Sequence, residues 1–153
     1  MFDEKYIYNG VRMFRSFLLL LFLLGCTSCK KESVSEVLPQ TPYELWRSQN
    51  LHNYSIDQVR TCFCPDGGVV VRLTVKSDSI FSITKVSDGS LITSPYYYTV
   101  DSLFGIINNP KGDSLVIKYN AKYGFPEYLD INPQQHPVDG GVLIESSNLQ
   151  ELK

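Results

Sequence analysis

The sequence lacks a hydrophobic run long enough for a permanent membrane span. Its longest unbroken apolar run extends from Phe17 to Leu24, far below the roughly 18 to 20 residues that a transmembrane helix needs. It also lacks a marked excess of either charge, because the formal net charge is -2 and the basic residues form no cluster. Proteins that bind nucleic acids usually concentrate Lys and Arg on one face. We therefore expect neither a transmembrane protein nor a nucleic-acid-binding protein.

The sequence is also poor in the residues that build metal and catalytic sites. It contains two histidines, His52 and His136, which we interpret as surface residues, and four cysteines. It has no glycine-rich phosphate loop and no His-Glu-x-x-His motif. Residues 112–115 spell the Gly-Asp-Ser-Leu motif of one hydrolase family, but no Asp-x-x-His follows. We predict no enzymatic activity, no cofactor and no metal.

The apolar run ends in a pattern that is typical of bacterial lipoproteins. Arg15 precedes the run, and Leu23-Leu24-Gly25-Cys26 resembles a lipobox, in which a cysteine after a small residue receives a diacylglyceryl group. Cys29 is the alternative acceptor because it follows a serine. We therefore interpret residues 1–26 as a signal peptide. We expect a lipid-anchored protein of the cell envelope, outside the cytoplasm.

The segment before the apolar run is atypical of a signal peptide. Asp3 and Glu4 lie where such a leader is basic, so we interpret residues 1–12 as a start-site extension and Met13 as the start. After the lipobox, residues 27–41 are rich in Ser, Lys, Glu and Pro and show no apolar periodicity. This composition predicts a flexible tether between lipid and fold.

Residues 42–153 are predicted to form a single domain. The capping-box pattern of residues 41–44 predicts a helix to about residue 51, and helical apolar spacing predicts a second helix over 99–109. Alternating or β-branched runs bounded by turn residues predict six strands, over 54–64, 69–75, 80–86, 114–119, 128–131 and 142–145. We therefore predict a monomeric α+β domain, in which a curled antiparallel sheet of about five or six strands packs against one or two helices.

Cys62 and Cys64 are the cysteines of this domain. Residues two apart on a strand face the same side, with Cα atoms about 6.6 Å apart, near the upper limit for a disulfide. A strained or bulged disulfide, a pair of buried thiols, and a functional pair that exchanges with partner thiols or holds a soft metal such as Cu(I) all fit the spacing.

Aromatic residues are concentrated in the second half of the chain. Tyr96, Tyr97 and Tyr98 are consecutive, and Tyr123 and Phe125 follow. Exposed tyrosines are common anchors in recognition, whereas core packing is the alternative. The cluster predicts a surface for a protein or cell-wall partner.

Two motifs together carry a resemblance to a known family. Arg60-Thr61-Cys62-Phe63-Cys64-Pro65 and Tyr123-Gly124-Phe125-Pro126, with Tyr54, Tyr119 and Asp139, resemble the bacterial domain-of-unknown-function family six-one-seven-four over residues 43–150. The resemblance implies a small secreted or lipid-anchored envelope domain and names no activity. The chain departs from the family pattern at Asn132 and at Gly140-Gly141, where acidic residues are expected.

These observations leave three functional hypotheses. The leading one is a non-catalytic binding or accessory domain, anchored in a membrane through its lipid. The second is a thiol-redox or copper-handling protein that uses Cys62 and Cys64. The third is an inhibitor of an envelope enzyme.

Overall fold

The computed structural model describes residues 40–138 and 140–153, and the structural statements below concern these residues. The predicted signal peptide, both candidate lipid acceptors Cys26 and Cys29, most of the predicted tether and Asp139 lie outside them. Within the described part, the structure has no helix that is both long and apolar enough to cross a membrane.

Two α-helices form at the two places where the sequence predicts them. Helix α1 spans Pro42–Ser48, and Thr41 caps it: the Thr41 hydroxyl accepts a hydrogen bond from the Glu44 amide, while the Glu44 carboxylate accepts one from the Thr41 amide. Helix α2 spans Val100–Asn108 and is capped by the Thr99 side chain. A 3-10 helix over Pro133–Val138 was not predicted.

Six antiparallel strands form one open sheet, which confirms the predicted α+β class. The sheet order is β3-β2-β1-β6-β5-β4. The strands are β1 (Tyr54–Thr61), β2 (Val71–Lys76), β3 (Ser79–Lys85), β4 (Leu115–Tyr119), β5 (Pro126–Ile131) and β6 (Val142–Glu151). Strand β6 is longer than predicted because its second half also pairs with β1. The residues of that half are mostly polar, so they do not show the apolar pattern from which strands were predicted.

One face of the sheet, the covered face, packs against both helices. Leu73 of β2, Leu129 of β5 and Ile144 of β6 are fully or almost fully buried there. Trp46 of α1 and Phe104 of α2 belong to the same core cluster as Leu73, whereas Leu129 and Ile144 form a second core cluster. Burial of large apolar side chains contributes about 1.5–3 kcal/mol each, so this face supplies most of the hydrophobic stabilisation.

Two residues of the sequence motifs lie in this core and hold the helices. The Tyr54 hydroxyl accepts a hydrogen bond of 3.0 Å from the Val100 amide at the start of α2. Burial raises the pKa of Tyr54 well above its usual range. Gly124 has φ +80°, and a Cβ there would lie 2.9 Å from the Trp46 nitrogen. Only glycine fits this close approach to α1 without strain, which explains the Tyr-Gly-Phe-Pro turn.

The other face of the sheet, the open face, carries no α-helix within the described residues. Because side chains alternate along a strand, it presents two rows across β4, β5, β6 and β1. The first row is Lys118, Tyr128, Glu145 and Val59, and the second is Val116, Asp130, Leu143 and Thr61. The candidate site is built on these rows.

Candidate functional site

A disulfide loop lies at the end of strand β1, at the margin of the open face. The strand ends at Thr61, so Cys62 and Cys64 belong to the following turn and not to a strand, which corrects the prediction. Their sulfurs are joined in a disulfide, with Cα atoms 5.3 Å apart. The amide of Gly68 donates to the carbonyl oxygen of Arg60 over 2.7 Å. The loop therefore folds back onto its own strand.

The disulfide loop presents Phe63 to solvent. This side chain is 87% exposed, more than any other large apolar residue in the described part of the chain. A phenylalanine held this far out loses contact with the core, and exposed aromatic side chains are frequent anchors of interfaces. The sequence analysis did not identify Phe63 as a candidate binding residue. Its position between two cysteines could have indicated one.

A cavity of about 480 Å³ lies beside this loop, over the second row of the open face. We call it the disulfide-end cavity. Cys62 lines it and Cys64 does not, so the two sulfurs have different surroundings. The other lining residues are Thr61, Phe63, Asp130, His136, Gly141 and Leu143.

An aspartate–histidine pair forms one wall of the disulfide-end cavity. Nε2 of His136 lies 2.7 Å from Oδ1 of Asp130, and only 9% of the Asp130 side chain is exposed. The Tyr128 hydroxyl donates to the other carboxylate oxygen over 3.3 Å. A Cβ at Gly141 would lie 2.8 Å from Nδ1 of His136, so the missing side chain leaves space beside this nitrogen. The pair can donate or accept a proton in the cavity.

A second cavity, of about 450 Å³, continues along the first row of the open face. Lys118, Glu145 and Tyr128 line it, together with Val59 and Val70. The Lys118 ammonium lies 5.1 Å from the centre of the Tyr128 ring, within the range of a cation–π contact. Charged groups of both signs therefore border this cavity, which polar as well as apolar residues line.

Asp57, which lines this cavity, forms an ion pair with Arg72. Asp57 is 3% exposed and accepts hydrogen bonds from Nε and Nη2 of Arg72 over 2.7 and 2.9 Å. Asn148 donates to the same carboxylate over 3.0 Å. The hydrogen bonds from Arg72 lower the pKa of Asp57 against the opposing effect of burial. Asp57 is therefore ionised and fixed, and it shapes the cavity.

The five predicted aromatic residues do not form one surface. Tyr97 and Phe125 are only 4% and 3% exposed because they pack in the core under the helices, so these two do not lie on the exposed surface that was predicted. Tyr98 and Tyr123 are partly buried and pack against different core clusters. Tyr96 is 45% exposed and covers the guanidinium of Arg60. Core packing explains most of this cluster.

Both histidines lie at the surface, as interpreted, but each pairs with an aspartate that the sequence did not indicate. His52 lies 2.9 Å from Oδ2 of Asp78, and His136 pairs with Asp130. The pairing of His136 depends on the turn after β5, which no local pattern reveals.

Ser114, the serine of the hydrolase-like motif, donates to Gln134 and contacts Asn132. In the described part of the chain, no group of three or more His, Cys, Asp and Glu residues could hold a metal ion.

Comparison with known proteins adds one finding. The model of a family described as a family of unknown function, DUF6174, matches residues 40–151. No curated protein and no solved structure matches the chain. The match includes the disulfide loop, the Tyr-Gly-Phe-Pro turn and the whole sheet.

Proposed function

The chain belongs to the family of unknown function DUF6174, and from this premise we propose a lipid-anchored protein of the bacterial envelope whose domain binds a protein partner without catalysis. The observation that carries the binding role is Phe63, 87% exposed at the mouth of the disulfide-end cavity. The lipobox-like segment ending at Cys26 supports the anchored location.

The shape of the open face favours a polypeptide as the partner. Phe63 and Val116 expose apolar surface, with Val116 47% exposed on the edge strand β4. The disulfide-end cavity lies over the second row, which runs between them, and in the neighbouring cavity Lys118 and Glu145 offer one charge of each sign. An extended segment with an apolar side chain against Phe63 would place its polar groups along the first row. Apolar anchors surrounded by polar groups are typical of protein interfaces.

Site-specific photo-crosslinking in cells tests the binding surface. A photoreactive phenylalanine analogue at position 63 of the full-length chain should give a discrete adduct with a protein. The control is position 81, because Phe81 is also well exposed, at 67%, but lies on the edge strand β3, two strands away from β1, and lines neither cavity. With the purified adduct partner, Phe63→Ala should weaken binding at least about tenfold, as expected for an interface anchor, and Phe81→Ala less than about twofold. Equal adducts at both positions, or adducts only with cell-wall glycan, would contradict a protein partner.

Metabolic labelling with a fatty acid tests the anchor separately. Cys26→Ala should abolish incorporation of the label and release the protein from membranes, whereas Cys29→Ala should leave both unchanged. Loss of label only in Cys29→Ala would move the acceptor to the alternative cysteine. Label in neither the parent chain nor the variants would contradict the anchored location.

A thiol-exchange function is the second candidate, favoured by the cavity that Cys62 shares with His136. A thiolate of a partner dithiol would attack the Cys64 sulfur, the Cys62–Cys64 bond would break, and Cys62 would leave as a thiolate that takes a proton from His136. The second partner thiol would then displace Cys64. The partner would be oxidised to a disulfide, and Cys62 and Cys64 would be reduced.

Reaction with reduced glutathione distinguishes this candidate from the first. Peptide mapping should find the mixed disulfide at Cys64, and His136→Ala should slow its formation at least about tenfold, as expected for loss of a positioned acid. His52→Ala is the matched control because His52 also pairs with an aspartate but does not line the cavity. Resistance of the disulfide to glutathione, or equal rates in both variants, would remove the redox candidate.

A further inference from the structure

Arg60 is a buried cation without an anionic partner. Only 7% of the residue is exposed, and no carboxylate oxygen of the described residues lies within 4.0 Å of its side-chain nitrogens. Its Nε is buried and has no hydrogen-bond partner. Buried charges in proteins are normally paired, because an unpaired one loses its hydration without compensation.

Arg72 shows what the same side chain does when its partner is present. It binds Asp57 side-on, through Nε and Nη2, over 2.7 and 2.9 Å. Arginine uses this planar pair of donors for carboxylates and phosphates alike. The equivalent Nε donor of Arg60 is unused in the described structure. The two arginines therefore have the same hydrogen-bond donors, but Arg72 has an oxyanion bound to them and Arg60 does not.

Two further polar atoms in the segment packed on Arg60 also lack partners. Tyr96 places its ring 5.0 Å from the guanidinium carbon of Arg60, and the flanking Ser94 and Tyr97 both have buried hydroxyl oxygens without a hydrogen bond. These three atoms are the buried side-chain polar atoms without a partner in the described residues. Each unmet buried donor destabilises the folded state. All three atoms belong to Arg60 or to the segment 94–97, whose Tyr96 packs on Arg60, and this grouping points to a ligand-binding site.

The charges around Tyr97 set the class of ligand. Burial raises the pKa of Tyr97, Asp66 raises it further, and Arg60 opposes both effects. Tyr97 is therefore a neutral hydrogen-bond donor, as is Ser94. Arg60, Ser94 and Tyr97 thus offer three hydrogen-bond donors, one of them cationic. Such a set suits a small oxyanion, with which the negative charge of Asp66 would compete for Arg60.

We propose that Arg60, Ser94 and Tyr97 form a binding site for a carboxylate or phosphate group, with Tyr96 as its outer cover. The group would accept side-on hydrogen bonds from the guanidinium of Arg60 and one from each hydroxyl. The site uses the covered side of strand β1 and is separate from the cavities of the open face. Its occupancy does not depend on the protein partner proposed above.

Thermal unfolding of the full-length protein in detergent tests this site. At constant ionic strength, replacing chloride by inorganic phosphate or by acetate should raise the unfolding midpoint in a saturable way, because a ligand that binds only the folded state stabilises it. Arg60→Met should abolish the saturable rise. Arg72→Met should lower the midpoint but keep the rise, which makes it the matched control. A response to phosphate alone assigns a phosphate ligand such as a lipid headgroup, and a response to acetate alone assigns a carboxylate such as that of a peptide.

Two outcomes would overturn the proposal. An equal rise in the parent chain and in Arg60→Met would reflect general stabilisation by excluded salts. No rise with either anion would show that Arg60 is simply unpaired. If Arg60→Met does not fold, Asp66→Asn provides the second measurement. Removing the competing charge should lower the apparent dissociation constant for phosphate or acetate, and an unchanged or higher constant would contradict the site.

Discussion

The two faces of the sheet bury their side chains by different means. The covered face uses apolar side chains such as Leu73, Leu129 and Ile144, which the two helices seal from water. The open face buries the carboxylates of Asp57 and Asp130, each held by a basic partner. Apolar burial is non-directional and scales with area, whereas a buried carboxylate depends on a few short hydrogen bonds.

This difference separates stability from recognition within one sheet. Apolar contacts on the covered face fix the positions of the strands. The strands then hold polar groups of the open face in place without helices that would cover them. Rigid elements position binding groups more precisely than free loops do. Substitutions on the two faces can measure this difference as changes in the free energy of unfolding.

Truncation of a leucine tests the comparison most directly. Leu103 of α2 is fully buried against the covered face, so Leu103→Ala should lower the free energy of unfolding by about 2–5 kcal/mol through lost burial and a new cavity. Val116 is 47% exposed on the open face, and Val116→Ala should cost less than about 0.5 kcal/mol. Urea denaturation measures both. Similar losses would mean that the open face is covered in solution.

A methyl group at Gly124 tests how closely the Tyr-Gly-Phe-Pro turn is packed under α1. Gly124→Ala should lower the free energy of unfolding by about 2–4 kcal/mol, because left-handed strain adds to the clash with the α1 backbone. Gly68 has almost the same φ, +78°, but a Cβ added there would meet no atom within 4 Å. Gly68→Ala should therefore show the strain alone, about 1–2 kcal/mol. Equal losses would show that α1 yields to the added methyl group.

The sequence predicted the covered face better than the open face. Apolar spacing revealed α2 through Leu103 and Phe104, a β-branched run revealed β2, and alternation revealed β3, because hydrophobic patterns report directly on burial against a core. The capping box at Thr41 fixed the start of α1. By contrast, the pairing of Asp130 with His136 depends on the 3-10 helix and the strand register. Neither leaves a local pattern in the sequence.

The disulfide loop shows a second limit of sequence reasoning. Alternation placed Cys62 and Cys64 on a strand, but backbone hydrogen bonds from the residues after Pro65 end β1 at Thr61. Likewise, the run of tyrosines suggested a surface, and only the packing of α2 shows that Tyr97 is internal. Aromatic residues serve both roles, so composition alone cannot separate them.

The Asp57–Arg72 pair predicts how the open face responds to pH. Arg72→Met should lower the free energy of unfolding at pH 7 by about 1–2 kcal/mol, less than for a fully buried pair because Arg72 is 44% exposed. Since Arg72 lowers the pKa of Asp57, the stabilisation is fully present above the unfolded-state pKa of about 3.9 and is lost as the pH falls through the lower folded-state pKa. The difference between parent and variant should therefore shrink in acid.

Urea denaturation from pH 7 down to about pH 3 measures this difference, with Lys118→Met as the control. Lys118 also lies on the open face, but no carboxylate oxygen of the described residues lies within 4.0 Å of its ammonium. Its removal should change the free energy of unfolding by less than about 0.5 kcal/mol, at neutral as well as at acidic pH. A difference for Arg72→Met that stays constant with pH would mean that Asp57 is not the group that Arg72 stabilises.

Removal of the disulfide should have a small effect on stability and the clearest effect on the open face. Cys62 and Cys64 are two residues apart, so their bond restricts little of the unfolded chain, and the double variant Cys62→Ser, Cys64→Ser should lose only about 1.5 kcal/mol by loop entropy. Phe63 would lose its fixed position, so crosslinking from position 63 should fall several-fold while crosslinking from position 81 stays constant. A stability loss as large as that of Leu103→Ala would instead assign the loop to the structural core.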